Sequence, residues 1–171
     1  MKIRLLVIGK IKETYLKTGI EEYLKRLKAY SQIEIIEVPD EPIPDNPKES
    51  EITIAKDKEG KKIIKYLKDN DYLISLDLGK KQLKSEDFAE FLQKSFIKGG
   101  SNINFVIGGS YGLSDELKLR ANDSISLSNM TFTHQMTRLI LLEQIYRGFK
   151  IMKHEVYHKW VINMKNSNNI K

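Results

Sequence analysis

Apolar residues along this chain follow two different periods. Residues 3–9, 33–38, 72–78, 104–108 and 124–128 are short, nearly continuous apolar runs with the length of buried strands. The intervening segments carry apolar residues at helical spacing, as with Tyr15, Ile20, Tyr23, Leu24 and Leu27 within a helix predicted over 14–30. Further helices are predicted over 49–68, over 86–98 with Ser85 as N-cap and Gly99-Gly100 as stop, over a short stretch from a Ser114 cap to Ala121, and over 133–153. Gly79 is expected to end the third strand. Strands that are apolar throughout, alternating with helices, predict a mostly parallel sheet with helices on both faces, a three-layer α/β fold. At 171 residues this is one domain, 1–171, whose asparagine-rich extension 160–171 is expected to fray. The segment PDEPIPDNP (39–47) holds all four prolines and must be a loop.

The last helix is apolar almost all round. At about 100° per residue, Glu143, Arg147 and Lys150 form one narrow stripe, and Leu, Ile, Tyr, Phe and Met cover the remainder. Either neighbouring elements of its own domain enclose it or a second subunit does; the small domain favours a homodimer. Arg138 lies in the middle of the apolar side and must meet a carboxylate, a carbonyl or a ligand, because an unpaired buried charge is strongly destabilising.

Composition narrows the setting. No apolar run is long enough to cross a bilayer, so no membrane partner is expected. The opening MKIRLLVIGK is too short in its apolar part for a signal-peptide core and reads as the first strand. The absence of cysteine excludes disulfides, thiolate metal sites and a cysteine nucleophile, which makes a cytoplasmic protein the expectation. A net charge of +6 favours an anionic partner. Residues 134–171 carry seven Lys or Arg against two acids, whereas 37–59 carry eight acids against three lysines, so RNA is expected near the C-terminal end.

Candidate chemistry gathers where strands end. FVIGGSYGL (105–113) is a strand followed by Gly108, Gly109 and Gly112, which lack the spacing of a dinucleotide loop and the GK[ST] ending of a nucleoside triphosphate loop. Asp115 and Glu116 follow in the first helical turn and would repel a phosphate. Two readings stay open: a tight turn whose glycines serve only the turn, or a site for a ligand without phosphate. A second loop, Leu127-Ser128-Asn129-Met130-Thr131-Phe132, is uncharged, carries hydroxyls and suits an adenosine. A third strand end, Leu76-Asp77-Leu78-Gly79, completes a possible cleft.

His154 to His158 spell HExxH, but that pattern binds zinc only on a helix with a third ligand elsewhere. No His, Asp, Glu or Cys follows His158, and His134 stands at the far end of the preceding helix, so no metal is expected. His134 itself reads as a capping or core residue, Tyr146 and Phe149 as packing, and Lys153 and Lys159 as solvated charges that would contact phosphates if RNA binds.

The stretches IRLLVIGKIKE, IEIIEVPDE, IGGSYGL, SLSNMTFTHQMTRLILLEQIYR and VYHK, in this order, resemble one family over almost the whole chain. This is the bacterial ribosomal RNA large-subunit methyltransferase H family, of the SPOUT class, which methylates N3 of a pseudouridine in 23S rRNA. The resemblance implies an α/β fold with a C-terminal trefoil knot, a homodimer with the active site at the subunit interface, and S-adenosylmethionine (SAM) as cofactor. It places the cofactor against Leu76, Gly108 and Leu127, Ser128, Asn129, Met130, Thr131 and Phe132, with the glycines making room for its nucleoside end. His158, Tyr157 and Arg138 are the implied catalytic candidates: His158 as base, since its ordinary pKa lies nearest neutrality, and Arg138 as a stabiliser of developing negative charge. Thr133 replaces the family's usual proline, and WVINMKNSNNIK continues past the family's usual end at YHK. The alternative function is a catalytically idle RNA-binding or ribosome-associated protein with the same fold.

Overall fold

The structure, a computed structural model, describes residues 1–157. Ten elements alternate: β1 (Lys2–Ile8), α1 (Thr14–Leu27), β2 (Gln32–Val38), α2 (Glu49–Ile64), β3 (Tyr72–Gln82), α3 (Ser85–Lys98), β4 (Asn102–Ile107), α4 (Asp115–Arg120), β5 (Asp123–Ser126) and α5 (His134–Met152). The five strands form one parallel sheet in the order β2-β1-β4-β3-β5. The predicted three-layer α/β architecture is what the chain adopts.

Strand alternation divides the core in two. Ile3, Leu5 and Val7 point to one face with Ile74, Phe105 and Ile107, where α1, α3 and α5 supply Ile20, Leu27, Phe88, Leu92, Leu141, Leu142, Ile145 and Phe149. Leu6 and Ile8 point to the other face with Leu73 and Val106, covered by Ile63 of α2 and by Leu113 and Leu117 around α4. Every residue of α5 is at least half-buried, enclosed by α1, α3 and the sheet. The apolar circumference that suggested a second subunit is therefore largely covered within one chain.

Two local expectations fail for identifiable reasons. β3 does not stop at Gly79; it bulges there, with Leu76 and Lys81 both in register with Ile125, and resumes to Gln82 opposite Ser126. Gly79 takes a positive φ of 73° to make that bulge possible. Ser85 is not the N-cap of α3. Lys84 holds that position, and the Ser85 hydroxyl instead donates to Gln144 Oε1 of α5 at 2.9 Å. Ser114 and Thr133 do cap α4 and α5, accepting from the amides of Leu117 (3.3 Å) and Met136 (3.2 Å).

Phe105 stands fully buried on the central strand β4, between the sheet and the three-helix layer. Phe105→Ala is expected to lower unfolding stability by about 3–5 kcal/mol, read as a reduced urea midpoint at unchanged slope.

Candidate functional site

The carboxyl ends of β4, β3 and β5 lie side by side, and register aligns them: Leu76 pairs with Ile107 on one side and Ile125 on the other. Gly108 therefore follows β4 at the level of Leu76, and Leu127 begins one residue beyond β5 at the same end. The three segments read from sequence as cofactor contacts converge on one edge of the sheet. Leu76, Leu127 and Ser128 are half-buried, and Asn129 to Phe132 are exposed, Met130 at 73% and Phe132 at 38%.

Loop 127–133 has a long way to go. The next element, α5, starts not beside β5 but at the end of β1, where Arg138 Nη2 donates to the carbonyls of Ile8 (2.8 Å) and Gly9 (2.7 Å). Crossing from β5 past β3 and β4 to β1 spans three strand spacings, about 14 Å. Seven residues reach that far when extended. The loop must run over the strand ends. Its own bonds are few: Ser126 Oγ donates to the Ser128 carbonyl at 2.7 Å, and the Met130 amide donates to Ser128 Oγ at 2.9 Å. Among the described residues, Asn129 to Phe132 make no main-chain to main-chain hydrogen bond, which leaves amides and carbonyls for a ligand edge.

The glycine loop is held from within. A β-carbon on Gly108 would stand 2.5 Å from the Gly112 carbonyl carbon, Gly109 and Gly112 form an antiparallel bridge, and Gly112 has φ of 84°. The loop's own backbone thus accounts for Gly108, so the expectation that its missing side chain serves the cofactor is not needed to explain it. Helix α2 grips the same loop from outside: a β-carbon on Gly60 would lie 2.2 Å from Ser114 Oγ. Beside it Glu59, 7% exposed, accepts the Glu41 amide at 2.9 Å, and burial pushes its carboxyl above the usual range. Hydrophobic periodicity does not single out this pair, although a glycine inside a helix, which weakens the helix by about 1 kcal/mol, is a sign of close packing. Ser114 caps α4, and Asp115 and Glu116 stand in its first turn.

Arg138 meets carbonyls, one of its foreseen partners, and is fully buried. Glu37 stands 3.9 Å from Nη1, and burial lowers the guanidinium's pKa. Among the described residues, Nε and Nη1 have no hydrogen-bond acceptor, and the side chain lines a cavity of about 410 Å³ between α1 and β2. His134 opens α5 against Gly9, its Nε2 3.4 Å from where a β-carbon on Gly9 would stand. Burial first, and the charge of Arg138 second, hold its imidazole below the usual 6.5.

Tyr157 is elsewhere. Its hydroxyl lies 3.3 Å from Glu143 Oε1 and 3.4 Å from the Tyr23 hydroxyl, and its ring sits edge-on to Tyr146 and under Arg147. Burial is the first cause of its raised pKa. Glu143 is ten residues into α5, so this cluster lies about 15 Å along the helix from the start of α5. One chain does not bring Tyr157 to the cofactor segments. His158 lies outside the described residues. The HExxH spacing is not displayed on a helix, because α5 ends at Met152, His154 has φ of 55°, and Glu155 is bound by Lys150 and Tyr30.

Three loops gather at the carboxyl edge of a parallel α/β sheet, the place where open α/β sheets hold their ligands, and the last helix is pinned back toward β1. The chain belongs to the SPOUT methyltransferase family, whose model, described as predicted SPOUT methyltransferase, matches residues 1–158. Ribosomal RNA large subunit methyltransferase H of Enterococcus faecalis is 52% identical over 159 residues, 93% of this chain and 100% of the relative. Proteins of the same name from Clostridium kluyveri and Alkaliphilus oremlandii are likewise 52% identical over the same shares.

Removing the Arg138 guanidinium leaves two buried carbonyls without charged donors, each such bond contributing about 1.5–3 kcal/mol. Arg138→Met is expected to lose on the order of 3 kcal/mol in urea unfolding, and Arg138→Lys to recover only part, since the more strongly hydrated ammonium is costlier to bury. His134 gives a pH signature. Its folded pKa lies below the unfolded value, so the unfolded chain takes the proton first. Its contribution to stability is intact above pH 6.5 and declines as pH falls below it. His134→Gln should flatten that part of the stability profile, measured by thermal unfolding from pH 8 to about pH 5.

Proposed function

We propose that this protein methylates N3 of a pseudouridine in 23S ribosomal RNA, with SAM as methyl donor. The alignment of Gly108, Leu76 and loop 127–132 on three adjacent strand ends carries the reading, together with family membership and relatives named for ribosomal RNA methylation. The residues fit such a donor: the segments are uncharged, partly apolar, and have main-chain groups without partners, as an adenosine edge requires. SAM, when bound, supplies an electrophilic methyl group on a sulfonium.

The work of this chain is to position and to handle a proton. Main-chain groups of 127–132 would fix the nucleoside, with Leu76, Leu127 and Met130 as apolar walls. N3 of neutral pseudouridine carries a proton that must leave as the methyl arrives. His158 is assigned as the group that accepts it, Tyr157 as a neighbour that orients the base, and Arg138, whose Nε and Nη1 have no hydrogen-bond acceptor among the described residues, as a cation that favours the developing anion. Alignment of nucleophile and methyl contributes much of the remaining acceleration. The distance between Tyr157 and the strand-end loops supports a homodimer in which one subunit's tail completes the other's pocket. The trefoil knot belongs to the same reading, supported by the crossing of loop 127–133 over the strand ends.

Calorimetry should show SAM binding by the full chain, and mass mapping of 23S rRNA should show the methylated pseudouridine only in cells that express it. His158→Ala should bind SAM normally and lose single-turnover methylation by 100-fold or more, on the order of a lost general base. SAM binding without any methylation by the wild type, on ribosomes or free RNA, would favour the catalytically idle alternative.

A further inference from the structure

Of the seven C-terminal cations that pointed to RNA, Lys159, Lys165 and Lys171 lie outside the described residues, and three of the other four are engaged. Arg138 is buried on carbonyls, Arg147 is paired with Glu143, and Lys150 with Glu155. The fourth, Lys153, is exposed and in no ion pair, although its charge reaches Glu155. The acidic segment 37–59 occupies the β2 side of the strand-end face, through Glu37, Asp40 and Glu41. Two of these acids are partnered, Glu41 by Lys62 at 2.5 Å and Glu37 by Arg138 at 3.9 Å, so that side offers a polyanion no free cationic cluster.

The opposite side is different. The bulge of β3 and the turn after it read LGKKQLKS, from Leu78 to Ser85, without one acid. Lys80, Lys81 and Lys84 are exposed, and among the described residues none forms an ion pair. The nearby Asp77 is neutralised by Lys118 at 3.3 Å. Register fixes where these lysines stand: Lys81 is opposite Ile125 and Gln82 opposite Ser126, immediately before the loop that begins at Leu127. Leu78, 57% exposed on the same bulge, and Tyr111, 44% exposed on the glycine loop, add apolar faces to the same end of the sheet. A large apolar side chain left in water beside free cations is the composition that single-stranded RNA recognises, with phosphates on lysine and unstacked bases on the apolar faces.

We infer that the β3 bulge, through Lys80, Lys81 and Lys84, is the surface that grips the RNA backbone beside the methyl-transfer pocket, with Tyr111 and Leu78 receiving an unstacked base. This rests on the ribosomal RNA reading above. The bulge also explains itself on this view: by looping out four residues it carries the lysines clear of the ladder without breaking the pairing of β3 with β5.

The test compares three proteins: wild type, K80E/K81E/K84E, and a charge-matched control, K58E/K61E/K65E, on the exposed side of α2. Calorimetry with SAM is expected to give the same affinity for all three, which shows that the pocket is folded. Co-sedimentation with large ribosomal subunits, which needs no catalysis, is then measured from about 50 to 200 mM salt. The β3 variant should bind at least tenfold more weakly at the lower salt, with a log–log salt slope shallower by about 2. The α2 control should stay within about threefold of wild type. An unchanged affinity and slope in the β3 variant overturns the inference, as does an equal loss in the control. Failure of the wild type to bind SAM or to methylate would strike the proposed function instead, and would be seen separately.

Discussion

One buried cation organises the strand-end face of this molecule. Arg138, without solvent exposure, fastens the start of α5 to the carbonyl of Ile8, which ends β1, and to that of Gly9 just beyond it, three strands away from where β5 leaves the sheet. Burying a guanidinium is costly, and the carbonyls at a strand's end are among the few main-chain acceptors that a parallel sheet leaves free at that edge. Because that attachment is fixed, loop 127–133 has no route but over the ends of β3 and β4. The position of that anchor brings the segments read as cofactor contacts to one edge of the sheet.

Around that crossing the sheet edge is divided by charge and by stiffness. The glycine loop is locked by Gly108 against Gly112 and by Gly60 under Ser114, so it gives a rigid wall. Loop 129–132 carries few internal bonds and is the adaptable wall. Acids stand on the β2 side and lysines on the β3 bulge, a polarity that would orient a polyanion without specifying its sequence. At the far end of α5, Tyr23, Tyr146, Tyr157, Arg147 and Glu143 form a packed polar and aromatic cluster remote from the strand ends.

Much of this was legible because burial imposes period. The five strands and five helices follow from apolar runs and helical spacing, since an all-buried parallel strand and an amphipathic helix write different patterns. The need for a partner at Arg138 was legible too, although which carbonyls would serve was not, because that depends on where α5 docks. Other features depend on pairing that one-dimensional periodicity does not encode. Residues 79–82 are polar yet stay in the sheet through a shifted register with β5. Ser85 has cap chemistry, but Gln144 of a distant helix competes for its hydroxyl. The basic count from residue 134 does not show which of its cations are paired, as Arg147 is with Glu143 and Lys150 with Glu155. Family resemblance, not periodicity, pointed to the methyl donor, and Glu59-Gly60 was written in the sequence only as an oddly placed helical glycine.

Hydrogen–deuterium exchange of the full chain, with and without saturating SAM, tests the central claim most directly. The account predicts slowed exchange in peptides covering Leu76, 107–112 and 127–132 together, with little change across α2's exposed side. Protection confined to other segments, or absent at donor concentrations that calorimetry shows to be bound, would contradict it.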